Sequence, residues 1–126
     1  MQGASQAMED GVTLAICLRR AENIPQALKI YERIRYDRVR RVQKLGEATR
    51  DQWHKADWDA VAKDPTLVQL PNPDYVLKFD VYKYAEENFD RVAEEIKQGR
   101  TLKDFDDDEH LKTMTKASID EEIGSR

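Results

Sequence analysis

The run Ala21-Glu22-Asn23-Ile24-Pro25-Gln26-Ala27 separates two long stretches of helical periodicity, and its reading decides the fold. Inside a helix a proline removes a hydrogen bond, but in the first turn its missing N–H costs nothing. Asn23-Ile24-Pro25 therefore closes one helix and opens another. Upstream, Ala4, Ala7, Met8, Gly11, Val12, Leu14, Ala15 and Leu18 recur at helical spacing and predict a helix over residues 4–22. Downstream, Leu28, Tyr31, Val39, Val42 and Leu45 mark a longer helix over residues 25–53, with Arg35 filling the gap after Tyr31 and Ile34 beside it. Gly46 interrupts that helix at a cost of only about 1 kcal/mol relative to Ala. Two long helices across a short break predict an antiparallel hairpin.

The rest of the chain adds shorter pieces. Asp57 is placed to cap a short helix over residues 57–63, with Trp58, Val61 and Ala62 on its apolar face. Residues 65–74 read as a loop, with Pro71-Asn72-Pro73 as its clearest turn. Tyr75-Val76-Leu77-Lys78-Phe79 has strand-like composition but no partner strand, which predicts an extended lead-in to the next helix. That helix covers residues 80–98, with Val81, Tyr84, Ala85, Phe89, Val92, Ala93 and Ile96 on one side and Gly99 as its stop. Beyond Arg100 the composition turns polar, with the acidic run Asp104-Phe105-Asp106-Asp107-Asp108-Glu109. The expected organisation is a mainly α unit over residues 1–99 and a disordered or loosely docked acidic tail over residues 100–126.

Composition narrows the function. The 126 residues are 37% charged with a net charge of -4, which argues against general affinity for nucleic acid. Arg33, Arg35, Arg38, Arg40, Arg41 and Lys44 spread around their helix, interrupted by Glu32 and Asp37, and read as solvated or salt-bridged positions. No apolar run of about 18 residues and no basic-then-apolar leader is present, so no membrane span is expected and a cytoplasmic setting is the default. The single Cys17 reads as a buried small hydrophobe. His54 and His110 have no metal-ligand spacing, so no metal site is expected. Asp10 reads as a structural residue that bonds back toward the start of its helix.

The opening is the one segment with a functional cast. Gly3, Ala4 and Ser5 are small residues at a helix start, where free N–H groups suit an anion or a ring oxygen. Gln2-Gly3-Ala4-Ser5-Gln6-Ala7-Met8-Glu9-Asp10-Gly11 closely resembles a segment of the FAD-dependent aromatic-ring monooxygenases, the salicylate hydroxylase-like flavoproteins. Pro25-Gln26-Ala27-Leu28-Lys29-Ile30-Tyr31-Glu32-Arg33-Ile34-Arg35 resembles the next helix of that family, and Phe79-Asp80-Val81-Tyr82-Lys83-Tyr84-Ala85 is weakly similar to its aromatic-rich segment. The resemblance implies that Gly3, Ala4, Ser5 and Gln6 face the flavin of FAD, with Ser5 standing where many members have Asn. It also implies a C-terminal helical piece of the FAD/NAD(P)-binding monooxygenase fold, without its Rossmann core. No Gly-x-Gly-x-x-Gly follows a strand, and no Gly-Asp ribose motif is present. The expected role is thus the flavin-contacting segment of an NAD(P)H-using aromatic hydroxylase, incomplete and inactive alone. The implied partner is the missing FAD-binding region or a homologous subunit. The alternative is a non-enzymatic helical interaction module that binds a partner or self-associates through the Met8, Val12, Ala15 and Leu18 side of helix one.

Overall fold

The computed structural model describes residues 2–68 and 74–101. In order these are α1 (Gln2–Arg20), α2 (Ile24–Lys55), α3 (Trp58–Lys63), a 3-10 turn (Pro65–Leu67), α4 (Asp74–Leu77) and α5 (Val81–Lys97), and the described residues contain no strand. The mainly α hairpin with one short and one C-terminal helix is therefore what forms. The acidic tail and Pro71-Asn72-Pro73 lie outside the described residues.

The hairpin joint forms as its residues dictate. Asn23 holds an extended backbone and its side chain accepts the Gln26 N–H at 2.9 Å, while Gln26 Oε1 accepts the Glu22 N–H at 2.7 Å. Pro25 sits in the first turn of α2. Arg19 and Arg20 occupy the last turn of α1, where the helix dipole favours cations. At the other end, the Gly99 N–H bonds Ile96 O and the Arg100 N–H bonds Glu95 O, a Schellman closure that needs the left-handed φ of 81° that glycine adopts freely.

Cys17 from α1, Ala27, Ile30 and Ile34 from α2, and Phe89 and Val92 from α5 form the main core. Leu45 of α2 and Val76 of α4 seed a second, smaller cluster. The phase of α2 differs from the sequence expectation. Leu28 is 49% exposed and Val39 39% exposed, while the inward stripe runs through Ala27, Ile30, Ile34, Arg38 and Leu45. Arginine occupies buried positions on α2, so apolar residues alone misplace its inner face.

Two further expectations are corrected. Tyr75–Leu77 is not extended but helical within α4, whose last turn closes with the Lys78 N–H on Asp74 O. The expected loop at residues 65–74 begins with the 3-10 turn, because Asp64 accepts the Thr66 N–H and the Thr66 hydroxyl. Across the bundle, Glu86 of α5 bonds both Arg19 and Arg20, and Asp90 adds a second contact to Arg20 at 3.1 Å. Arg20 also lies over the Phe89 ring, 4.4 Å from its centroid.

Cys17 is fully buried, and that burial pushes its thiol up to about 11, with Arg20 pulling partly against it. At pH 8 only about a thousandth of it is thiolate. Native protein is expected to resist a thiol-specific disulfide reagent and to react at the rate of free cysteine only in denaturant. Rapid labelling of the native chain would show that the α1–α2–α5 core opens readily.

Candidate functional site

The start of α1 carries the four residues singled out as flavin-facing. Gly3 and Ala4 are exposed, and Ser5 and Gln6 are half-buried. A Cβ on Gly3 would meet nothing within 4 Å, so the approach is open. By helix geometry the first four N–H groups lack intrahelical acceptors, and the first turn holds no acidic side chain. Gly3 and Ala4, the second and third residues of α1, thus offer backbone donors. Gln6 is engaged differently: its Oε1 accepts Arg35 Nη2 at 2.8 Å, and its Nε2 is enclosed with no partner among the described residues.

Behind this helix start lies a buried ionic cluster. Arg38 grips Glu9 with two bonds, Nε to Oε2 at 2.6 Å and Nη2 to Oε1 at 2.7 Å. Arg35 Nη1 reaches the same Oε2 at 2.9 Å and its Nε reaches Asp10 Oδ1 at 2.6 Å. The Glu9 side chain is 10% exposed, Arg35 5% and Arg38 7%. Arg38 continues to the backbone of α4, donating to Tyr75 O at 2.6 Å, and stacks 3.6 Å from the centre of the Phe79 ring. Thr13, wholly buried one turn on, returns its hydroxyl to Glu9 O at 2.9 Å. One carboxylate therefore ties α1, α2 and α4 together. Asp10 bonds the Arg35 side chain and not, as its position suggested, the backbone near the opening.

The cluster sets the electrostatics of the helix start. Glu9 and Asp10 lie roughly 6–11 Å along the axis from Gly3–Ser5 at 1.5 Å per residue. An unpaired carboxylate at about 8 Å would oppose a negative group there by about 2 kcal/mol at an effective dielectric of 20. That exceeds the roughly 0.3–1 kcal/mol that a helix terminus contributes. Arg35 and Arg38 cancel those two charges, so the positive end of the dipole survives.

Burial pushes the Glu9 carboxyl up, but Arg38 and Arg35 outweigh it and hold the group below the usual carboxylate range. A folded pKa below the unfolded value of about 4.3 gives stability that is complete above that value and lost as pH falls through the folded one. The urea midpoint is expected to be flat between about pH 6 and 8 and to fall below about pH 4.5. A midpoint that holds into strong acid would show that the fold does not hold the Glu9 carboxyl below its ordinary range.

A second concavity of about 410 Å³ lies between α2, α4 and α5, lined by Arg38, Arg41, Tyr75, Phe79, Lys83 and Tyr84 among others. None of Gly3, Ala4, Ser5 or Gln6 lines it. Its cations are engaged: Lys78 pairs with Asp74 at 3.0 Å and Arg41 stacks 3.7 Å from the Tyr75 ring centre. Among the described residues no group of three or more His, Cys, Asp or Glu could hold a metal, and no helix is long and apolar enough to cross a membrane.

The outer face of α1 is apolar and uncovered. Met8 is 69% exposed, Leu18 48% and Val12 36%, with Ala4, Ala7, Gly11 and Ala15 exposed on the same side. The helix therefore turns Glu9 and Thr13 inward, with Ile16 and Cys17 buried further on, while Met8, Val12 and Leu18 face outward.

Comparison with known proteins gives this segment a context. The chain is 38% identical over 100 residues to an FAD-dependent monooxygenase of Aspergillus nanangensis, covering 78% of this chain and 22% of that protein. It is 38% identical over 99 residues to an FAD-dependent monooxygenase of Gibberella fujikuroi, covering 77% of this chain and 19% of that protein. A third, from Aspergillus fumigatus, is 38% identical over 112 residues, with 76% and 27% covered. The chain thus spans between 19% and 27% of the length of these curated relatives. No family model and no solved structure matches.

Proposed function

We propose, for a chain homologous to a segment of the FAD-dependent monooxygenases, that it is the C-terminal flavin-contacting piece of an NAD(P)H-using aromatic-ring hydroxylase. The observation that carries this reading is the open, cation-balanced start of α1. The residues present fit a flavin: small side chains at Gly3, Ala4 and Ser5, first-turn backbone donors at Gly3 and Ala4, and carboxylates neutralised behind them. When bound in a complete enzyme, FAD supplies the redox chemistry of oxygen transfer. This chain's part is to present N–H groups toward the electron-rich edge of the ring, where negative charge gathers on reduction.

The uncovered Met8, Val12, Ala15 and Leu18 face supports a docking role for α1, with the FAD-binding region or a homologous subunit as its cover. A cytoplasmic setting belongs to the same reading. Alone, the chain is inactive, because the weak pull of one helix terminus cannot hold a large dinucleotide. Two measurements test this. Purified chain with FAD, NADPH and salicylate is expected to show no hydroxylation, and turnover would refute the claim of incompleteness. A ¹⁵N NMR titration with FAD is expected to move the amides of Gly3–Gln6 first. Shifts confined to the α2–α4–α5 concavity would overturn the placement.

The same exposed face supports a second reading, self-association as a helical interaction module. A concentration-dependent dimer by size-exclusion chromatography, abolished by Met8→Glu, would favour it; a monomer at all concentrations would remove it.

A further inference from the structure

We infer that Arg35 is a positioning residue: it fixes the first two turns of α1 on α2 so that the backbone donors at Gly3 and Ala4 hold one direction. The inference rests on the flavin reading above and gives Arg35 a role beyond balancing charge. Arg35 touches three α1 side chains in consecutive turns, with Nε on Asp10, Nη1 on Glu9 and Nη2 on Gln6. Its Nη2 also lies 3.5 Å from Gln6 O, a backbone oxygen within the first two turns. A planar guanidinium with donors in a rigid fork can make these bonds together, whereas an ammonium on a flexible stem cannot keep the same three directions. Arg38 holds the far side of the same carboxylate and anchors it to α4, so the Arg35 fork works against a fixed point. The N-terminal turn of a helix frays readily when nothing packs its outer face, and here Met8 and Val12 are open. The Arg35 clamp supplies the order that packing does not.

Charge and geometry are separable. Arg35→Lys keeps the positive charge and loses the fork. At a fixed millimolar FAD concentration, the FAD-induced ¹⁵N shifts at Gly3–Ser5 are expected to fall at least about fivefold in Arg35→Lys, with far-UV circular dichroism unchanged. Arg33→Lys is the control: Arg33 is as buried and pairs with Asp37 at 3.0 Å along α2, and its variant is expected to keep the full shifts. Should Arg35→Lys fail to fold, Asp10→Asn weakens one prong by removing the charge of a 38%-exposed carboxylate and is expected to lower the shifts about twofold. Full wild-type shifts in the folded Arg35→Lys chain, or in Asp10→Asn where that variant stands in, would overturn the positioning role and leave the flavin reading standing. An unmoved wild-type Gly3–Gln6 stretch would overturn the flavin reading and this role with it.

Discussion

Glu9→Gln is expected to cost about 3–5 kcal/mol, because it removes the charge that two buried guanidinium groups share. Gln keeps the volume and one acceptor oxygen, so the loss is electrostatic and not a cavity. Asp10 would remain as a partner for Arg35, at 2.6 Å, but Arg38 would face only an amide oxygen and the backbone of α4. A domain of this kind has about 5–15 kcal/mol in total, so the variant should lose a large share of its stability. Urea unfolding followed by far-UV circular dichroism measures it. A loss under about 1 kcal/mol would mean that water reaches Arg35 and Arg38 and that the cluster is not dry.

Phe89→Ala is expected to cost about 3–5 kcal/mol, from the lost apolar burial and the cavity left at the α1–α2–α5 junction. Phe89 is 6% exposed and also carries the stacked guanidinium of Arg20, so its removal loosens the α1–α5 ion pairs as well. The matching control is Leu28→Ala. Periodicity placed Leu28 inward, whereas the structure leaves it 49% exposed, so its loss should stay within about 0.5 kcal/mol. Equal losses at the two sites would mean that α2 is rotated from the phase described.

Those two sites mark what could be read in the sequence. The boundaries were legible because they depend on local chemistry: Pro25 after Asn23 opens α2, Asp80 caps α5 by accepting the Lys83 N–H, and Gly99 ends it. The inner face of α2 was not legible, because Arg35 and Arg38 stand where apolar residues were sought. A signal for them was nonetheless present. In an antiparallel hairpin folded about Glu22, Glu9 lies 13 residues before the turn and Arg35 13 after it, so the acid and the base face each other. The single turn at Asp74–Leu77 was missed for a different reason: its local composition favours a strand, and the bond from Arg38 to Tyr75 O is a tertiary event. The open helix start came from small residues and a resemblance. Its charge balance became visible only once Glu9 was seen between two arginines.

One titration tests the central claim most directly: FAD held at low concentration, purified chain added toward the millimolar range, flavin fluorescence anisotropy recorded, and helix content followed on the same sample. The expected result is a helical chain with a rise in anisotropy that remains far from saturation at micromolar chain and is clear near the millimolar limit, corresponding to a dissociation constant on the order of 1 mM. Saturation at micromolar chain would contradict the claim that this segment needs the rest of a flavoenzyme. A flat response up to the millimolar limit, with the helices intact, would contradict the claim that the start of α1 meets a flavin.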